Sequence, residues 1–185
     1  MLECLAEGHV EATLLGMVDC GPPRALEAAL LDLRACSRAW REQARPRLLR
    51  QSAEQLGCAD ADARLAALAL LTAAADSAGG WEGGLPQAVG VAATAVACRV
   101  RGMLRDDDPD VRRAALRCVL RVCAPWGDEA PAAAARCLGD PHWPVRWAAV
   151  GAVAHVGASA PDGGAKAAGL LAARLRDREW PVRRA

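Results

Sequence analysis

Leu104-Arg105-Asp106-Asp107-Asp108-Pro109-Asp110-Val111-Arg112-Arg113-Ala114-Ala115 is the stretch that decides the fold, because the chain repeats it. The second copy runs Leu138-Gly139-Asp140-Pro141-His142-Trp143-Pro144-Val145-Arg146-Trp147-Ala148-Ala149. The third runs Leu175-Arg176-Asp177-Arg178-Glu179-Trp180-Pro181-Val182-Arg183-Arg184-Ala185. In each, Leu stands seven residues before Val, Asp stands five before it, and Arg follows it directly. A weaker copy begins at Leu56, with Cys58 in place of the Asp and Ala63-Arg64 in place of Val-Arg. From 63 to 111 to 145 to 182 the intervals are 48, 34 and 37 residues. Self-similarity at roughly 20–50 residues is the signature of a solenoid. The first, longer interval holds an insertion around Gly79-Gly80-Trp81-Glu82-Gly83-Gly84, which reads as a flexible loop.

Each copy opens a helix. Counting from Ala63, Val111 and Val145, apolar or small residues recur at i+3, i+4, i+7, i+8 and i+11. That is one helical stripe in the same register three times. The Asp residues stand where free backbone N–H groups and the positive end of the helix dipole favour a carboxylate. Pro109, Pro144 and Pro181 fall in or just before the first turn, where a missing N–H costs little. Partner helices are expected at roughly 86–105, 128–138 and 162–176, with breaks at Pro125-Trp126-Gly127 and Pro161-Asp162-Gly163-Gly164.

Composition agrees. Ala fills 44 of 185 positions, with no Phe or Tyr, so the chain is rich in the residue that orders into a helix at least entropic cost. The net charge of +1 offers no global field for nucleic acid or an acidic membrane surface. Of the 23 basic residues only Lys166 is Lys. Ala, Gly, Arg and Pro share GC-rich codons, so the count of Arg is not evidence for phosphate binding. Eight Cys occur without a C-x-x-C pair, mostly at apolar helical positions, as expected of reduced thiols in a cytoplasmic or nuclear protein. Residues 1–10 lack the basic start of a secretory signal, and no unbroken apolar run reaches the ~18 residues of a membrane span.

The D-x-x-x-x-V-R-x-A-A core resembles HEAT repeats, particularly the short HEAT-like repeats associated with phycobilisome lyases. The resemblance covers about residues 50–185. It implies an all-α fold, a right-handed α-solenoid of HEAT-like helical hairpins forming an armadillo-type superhelix. It also implies that the Val-Arg helix is the second of each pair and lines the concave face. Asp and Arg commonly form a ladder between neighbouring repeats in such proteins. Carried over, Arg64, Arg112, Arg146 and Arg183 are the ladder cations, and Asp106, Asp140 and Asp177 the anions.

Residues 1–50 stand apart from residues 51–185, whose last repeat is incomplete. The stretch Leu30 to Arg45, with Leu33, Ser37, Trp40 and Arg41, resembles the later helix of an F-box. That resemblance implies docking on a Skp-type adaptor of ubiquitin ligases through Leu33 and Trp40. The opening Leu-Pro of an F-box is missing, and the same residues read more readily as a helical cap, since a solenoid end needs a polar outer face. The repeat pattern is intact up to Ala185, which leads us to expect a longer array; an open end that pairs with another protein or itself is the alternative.

No catalytic constellation stands out. His9, His142 and His155 form no His-Glu pair or H-x-x-x-H spacing, so the iron site of the HEAT-like deoxyhypusine hydroxylases is not expected, nor any other metal or cofactor. A chromophore-lyase activity would rest on family analogy alone. The expected function is a non-catalytic protein-interaction scaffold, in its specific form an F-box-type adaptor, whose partners are proteins rather than nucleic acid or membrane. Arg113, Arg117 and Arg121 recur every four residues off the apolar stripe, and Trp147, Gly151 and His155 hold the same register in the next repeat. Arg beside an exposed Trp suits an acidic protein segment, so Arg113, Arg117, Arg121, Trp147 and His155 are the partner-binding candidates. Trp143 and Trp180 hold equivalent turn positions and are expected to pack against a neighbouring turn, with His142 solvated.

Overall fold

A computed structural model of the chain describes residues 52–76, 90–122, 129–159 and 163–185. The cap or F-box-like stretch, with Leu33 and Trp40, and the glycine-rich insertion lie outside the described residues.

Among the described residues every regular element is helical. A helical turn at 52–55 precedes α1 (Ala61–Asp76). Then follow α2 (Gly90–Met103), α3 (Pro109–Val122), α4 (Glu129–Arg136), α5 (Trp143–Ser159), α6 (Gly163–Ala172) and α7 (Trp180–Arg184). The chain tightens into 3-10 turns at Cys137–Gly139 and Ala173–Arg176 before entering α5 and α7. The helices that begin with the repeated motif are α1, α3, α5 and α7. They stack on one another in order, α1 on α3, α3 on α5 and α5 on α7. α2, α4 and α6 form a second layer, packed against α3, α5 and α5 respectively. Two layers of helices around one continuous core is the economical way to bury stripes that no single hairpin could cover.

Helix starts follow from side-chain chemistry. Asp108 caps α3, its Oδ1 accepting the N–H groups of Asp110 at 2.7 Å and Val111 at 3.2 Å. Asp60 does the same for α1 through the N–H of Asp62 at 3.2 Å. Those N–H groups have no intrahelical acceptor, so each cap is worth about 1 kcal/mol.

The core comprises Val111, Val145 and Val182 of the motif, all buried, with Leu56, Leu104 and Leu138 seven residues before the motif position. The expected stripe is buried at i+4 in each long motif helix, as Ala67, Ala115 and Ala149. The burial is wider than that stripe. Leu68, Leu116 and Val150 at i+5 are equally buried. A motif helix meets the preceding motif helix, the following one and a helix of the second layer, so more than one face is covered. The small Ala at i+4 lets these backbones approach while Leu or Val at i+5 fills the space behind.

Cys118 and Cys137 are buried, and burial raises the Cys137 thiol above its ordinary pKa, keeping it protonated and inert. The other described thiols, Cys58 and the exposed Cys98, are likewise in no disulfide. Trp143 and Trp180 do not pack as expected. They are 42% and 57% exposed, and Trp180 lies under the guanidinium of Arg184 at 5.1 Å. Each stands at the first residue of a motif helix, α5 and α7. No described helix is long and apolar enough to cross a membrane.

Candidate functional site

Two sets of charged residues emerge from this stack, one inside the turns and one on the motif-helix face.

Inside the turns, each motif Arg serves its own turn, and all but Arg183 also serve the next repeat. Its Nη1 donates to the carbonyls five and six residues earlier: Ala59 and Cys58 for Arg64, Asp107 and Asp106 for Arg112, Pro141 and Asp140 for Arg146, Arg178 and Asp177 for Arg183. The remaining nitrogens reach the Asp of the next repeat. Arg112 grips Asp140 with Nε at 2.8 Å and Nη2 at 3.0 Å. Arg146 grips Asp177 with Nε at 2.9 Å and Nη2 at 2.8 Å. Arg64 donates to Asp106 through Nη2 at 2.8 Å; its Nε lies 2.8 Å from the other oxygen but makes no hydrogen bond. Each Asp in turn accepts the N–H two residues on, from Asp108, His142 or Glu179, which fixes the turn. The guanidinium fork suits this work because it is planar, permanently charged and able to serve two carbonyls and a carboxylate together.

The electrostatics are those of tight, poorly solvated pairs. Arg146 holds Asp177 down to about 2, against the cost of burial. Burial works against ionisation of Asp140, yet the hydrogen bonds from Arg112 and the His142 N–H outweigh it and the carboxyl lies below its ordinary value. His142 is part of this seam rather than simply solvated: half exposed, its Nδ1 lies 3.2 Å from Arg112 Nη2. Arg183 makes the same carbonyl contacts without a carboxylate partner among the described residues.

On the other face, Arg117, Trp147 and His155 are brought around one open groove of about 380 Å³, with Ala148, Gly151 and Ala152 between them and Ala185, the residue after α7, also in its lining. Trp147 is 42% exposed, offering one side of its indole to the groove. A Cβ at Gly151 would meet nothing within 4 Å, so this glycine leaves the space open. Arg113 is set apart. It is tied to Asp110 at 2.9 Å one turn back, so part of its charge is already met. Arg121 lies on α3, and its side chain is outside the described residues. Among the described residues no group of three or more His, Cys, Asp or Glu is placed to hold a metal ion. Sequence reasoning missed Ala148 and Ala152 as groove residues because they read only as stripe positions.

Residues 99–185 match the family model for HEAT repeats. The fold is a HEAT/armadillo-like α-solenoid. Its likeness to solved structures extends over most of the chain. A designed armadillo repeat protein in complex with the peptide (KR)4 is 13% identical, with a TM-score of 0.62 over 92% of this chain and 76% of that one. An engineered protein is 16% identical, with a TM-score of 0.63 over 94% and 76%. A computationally designed armadillo repeat protein for modular peptide recognition is 16% identical, with a TM-score of 0.58 over 91% and 76%. At such identities the likeness concerns the fold. No curated protein matches the chain.

Proposed function

We propose that this solenoid is a non-catalytic scaffold that holds an extended, acidic segment of another protein along its motif-helix face. The observation that carries the reading is the groove lined by α3, α5 and Ala185, where an exposed cation, an indole and an imidazole converge on an open, glycine-floored space. Arg117 is exposed and has no carboxylate partner among the described residues, so a peptide carboxylate would meet a guanidinium free to bind it. Trp147 and Ala148 supply apolar surface for a neighbouring side chain. Arg and Trp dominate interface energies because each combines large contact area with directional polar groups. The similarity to armadillo proteins made for peptide recognition supports the binding mode, while the groove's charge argues for the opposite peptide sign to (KR)4.

An array of octapeptides of graded charge tests this directly. Acidic peptides with interspersed Leu are expected to bind in preference to neutral or basic ones, and the preference should weaken between 50 mM and 500 mM salt. A preference for basic peptides would overturn the reading. The adaptor role of residues 1–50 rests on the sequence pattern of Leu33 and Trp40 alone. Copurification with a Skp-type adaptor, lost on Trp40→Ala, is its test.

A further inference from the structure

The motif register runs sideways, from helix to helix, across the face that carries the groove. The second residue after the motif Val is Arg113 on α3, Trp147 on α5 and Arg184 on α7. The sixth is Arg117 on α3 and Gly151 on α5. α5 packs against both α3 and α7 and lies between them. Arg113 is tied to Asp110 at 2.9 Å, which leaves Arg117 as the more open cation of the two. On α7, Arg184 is exposed, and its guanidinium lies over the ring of Trp180 at 5.1 Å. The indole steadies the guanidinium plane while the N–H donors at its edge stay available, so less freedom is lost when a carboxylate binds. Ala185, next to Arg184, lines the groove together with Arg117 and Trp147. From α3 through α5 to α7 the face therefore runs cation, apolar surface, cation.

We infer that the acidic segment is gripped at its two ends, by carboxylates about six residues apart on Arg117 and Arg184, with apolar side chains between them on the Trp147 surface. This rests on the acidic-peptide reading above and gives it a register. Packed helices lie about 8–10 Å apart, so α3 and α7 stand about 16–20 Å apart across α5. One helical turn, about 5.4 Å, separates the sixth position from the second. An extended chain advances about 3.3 Å per residue and spans that diagonal in about six. Side chains of an extended chain alternate sides, so acids at i and i+6 share one side with residues i+2 and i+4. Those two residues meet α5, where Trp147 is 42% exposed and Gly151 leaves the surface open. A nucleic-acid strand suits this face less well, because its phosphate at every step would lie over the apolar surface of Trp147 and Ala148 as well as beside the two cations.

The test is fluorescence anisotropy of the full chain with labelled decapeptides of one composition, two Glu and two Leu on a Ser and Gln background. The first peptide has Glu at i and i+6 with Leu at i+2 and i+4. The second has Glu at i and i+2 with Leu at i+4 and i+6, and a neutral third has Gln for both Glu. The first is expected to bind about tenfold tighter than the second, the effect of one charge-assisted pair. Arg184→Ala should remove that advantage while changing the second peptide's affinity less than about twofold, and Arg184→Lys should restore part of it. Arg178→Ala, which removes an exposed Arg just before α7, should bind all three peptides as wild type. Equal affinity for the first and second peptides, both above the neutral one, would overturn the register and leave the acidic-segment reading standing. No advantage of either acidic peptide over the neutral one would overturn both. Unchanged binding of the first peptide by Arg184→Ala, or tighter binding of a labelled oligo-dT strand, would also overturn the inference.

Discussion

Arg112 and Arg117 sit on the same helix, five residues apart, and have opposite fates. Arg112 is buried, with two carbonyls, a carboxylate and a histidine ring around it. Arg117 is exposed at the edge of a groove. The first belongs to a seam that joins repeats; the second is available to a partner. The difference comes from what lies upstream, not from the side chain. A turn whose carbonyls at −5 and −6 point inward, followed by an Asp in the next repeat, makes an Arg structural. Arg117, without that setting, keeps its guanidinium at the groove.

Arg112→Ala is expected to break the comparison most severely. It leaves Asp140 buried beside nothing but backbone and His142, and removing one partner of a buried pair costs about 3–5 kcal/mol. Arg117→Ala should change stability by no more than about 0.5 kcal/mol, as surface substitutions do. Urea denaturation of the two variants side by side reads both numbers. Next in size is Leu116→Ala, which removes a fully buried side chain at the i+5 position and should cost about 3 kcal/mol by the same measurement.

Acid sharpens the contrast. Asp177 titrates near 2 when folded, below the ordinary 3.8, and Asp140 is lowered too. A depressed carboxylate contributes stability that is complete above its unfolded value and is lost as pH falls through the folded one. The melting temperature should therefore hold down to about pH 4 and fall between there and pH 2. Asp177→Asn should lower the plateau and flatten that fall. An unchanged slope would mean the seam carries no acid-labile stability. The smallest effect expected is a gain. Gly151→Ala places a methyl in open space on an exposed helix position and should stabilise by about 0.5–1 kcal/mol, seen as a raised melting temperature.

Much of the fold was legible because the motif fixes a register. In the copies headed by Val111 and Val145, Leu at −7, Asp at −5 and Arg at +1 name the core residue, the turn anion and the seam cation, and the contacts of Arg112 with Asp140 and of Arg146 with Asp177 follow that spacing; Leu175, at −7 from Val182, is 69% exposed instead. The burial at Leu68, Leu116 and Val150 was not legible, since a single stripe describes a helix covered on one side only. The exposure of Trp143 and Trp180 was not legible either, because a large apolar side chain beside a turn reads as an anchor from sequence alone. The groove was half legible. Register placed Arg117, Trp147 and His155 on equivalent helix faces, but the open floor at Gly151 appears only once α3 and α5 are stacked.

The central claim is that the motif-helix groove binds an acidic segment while the buried seam holds the stack together. Fluorescence anisotropy of one labelled acidic, Leu-containing octapeptide tests it most directly, titrated with wild type, Arg117→Glu and Gly151→Leu. Saturable binding by wild type, lost at least tenfold in both variants with their melting temperatures within a few degrees of wild type, is the result predicted. Equal affinity for all three proteins, or tighter binding of the (KR)4 peptide, would contradict it.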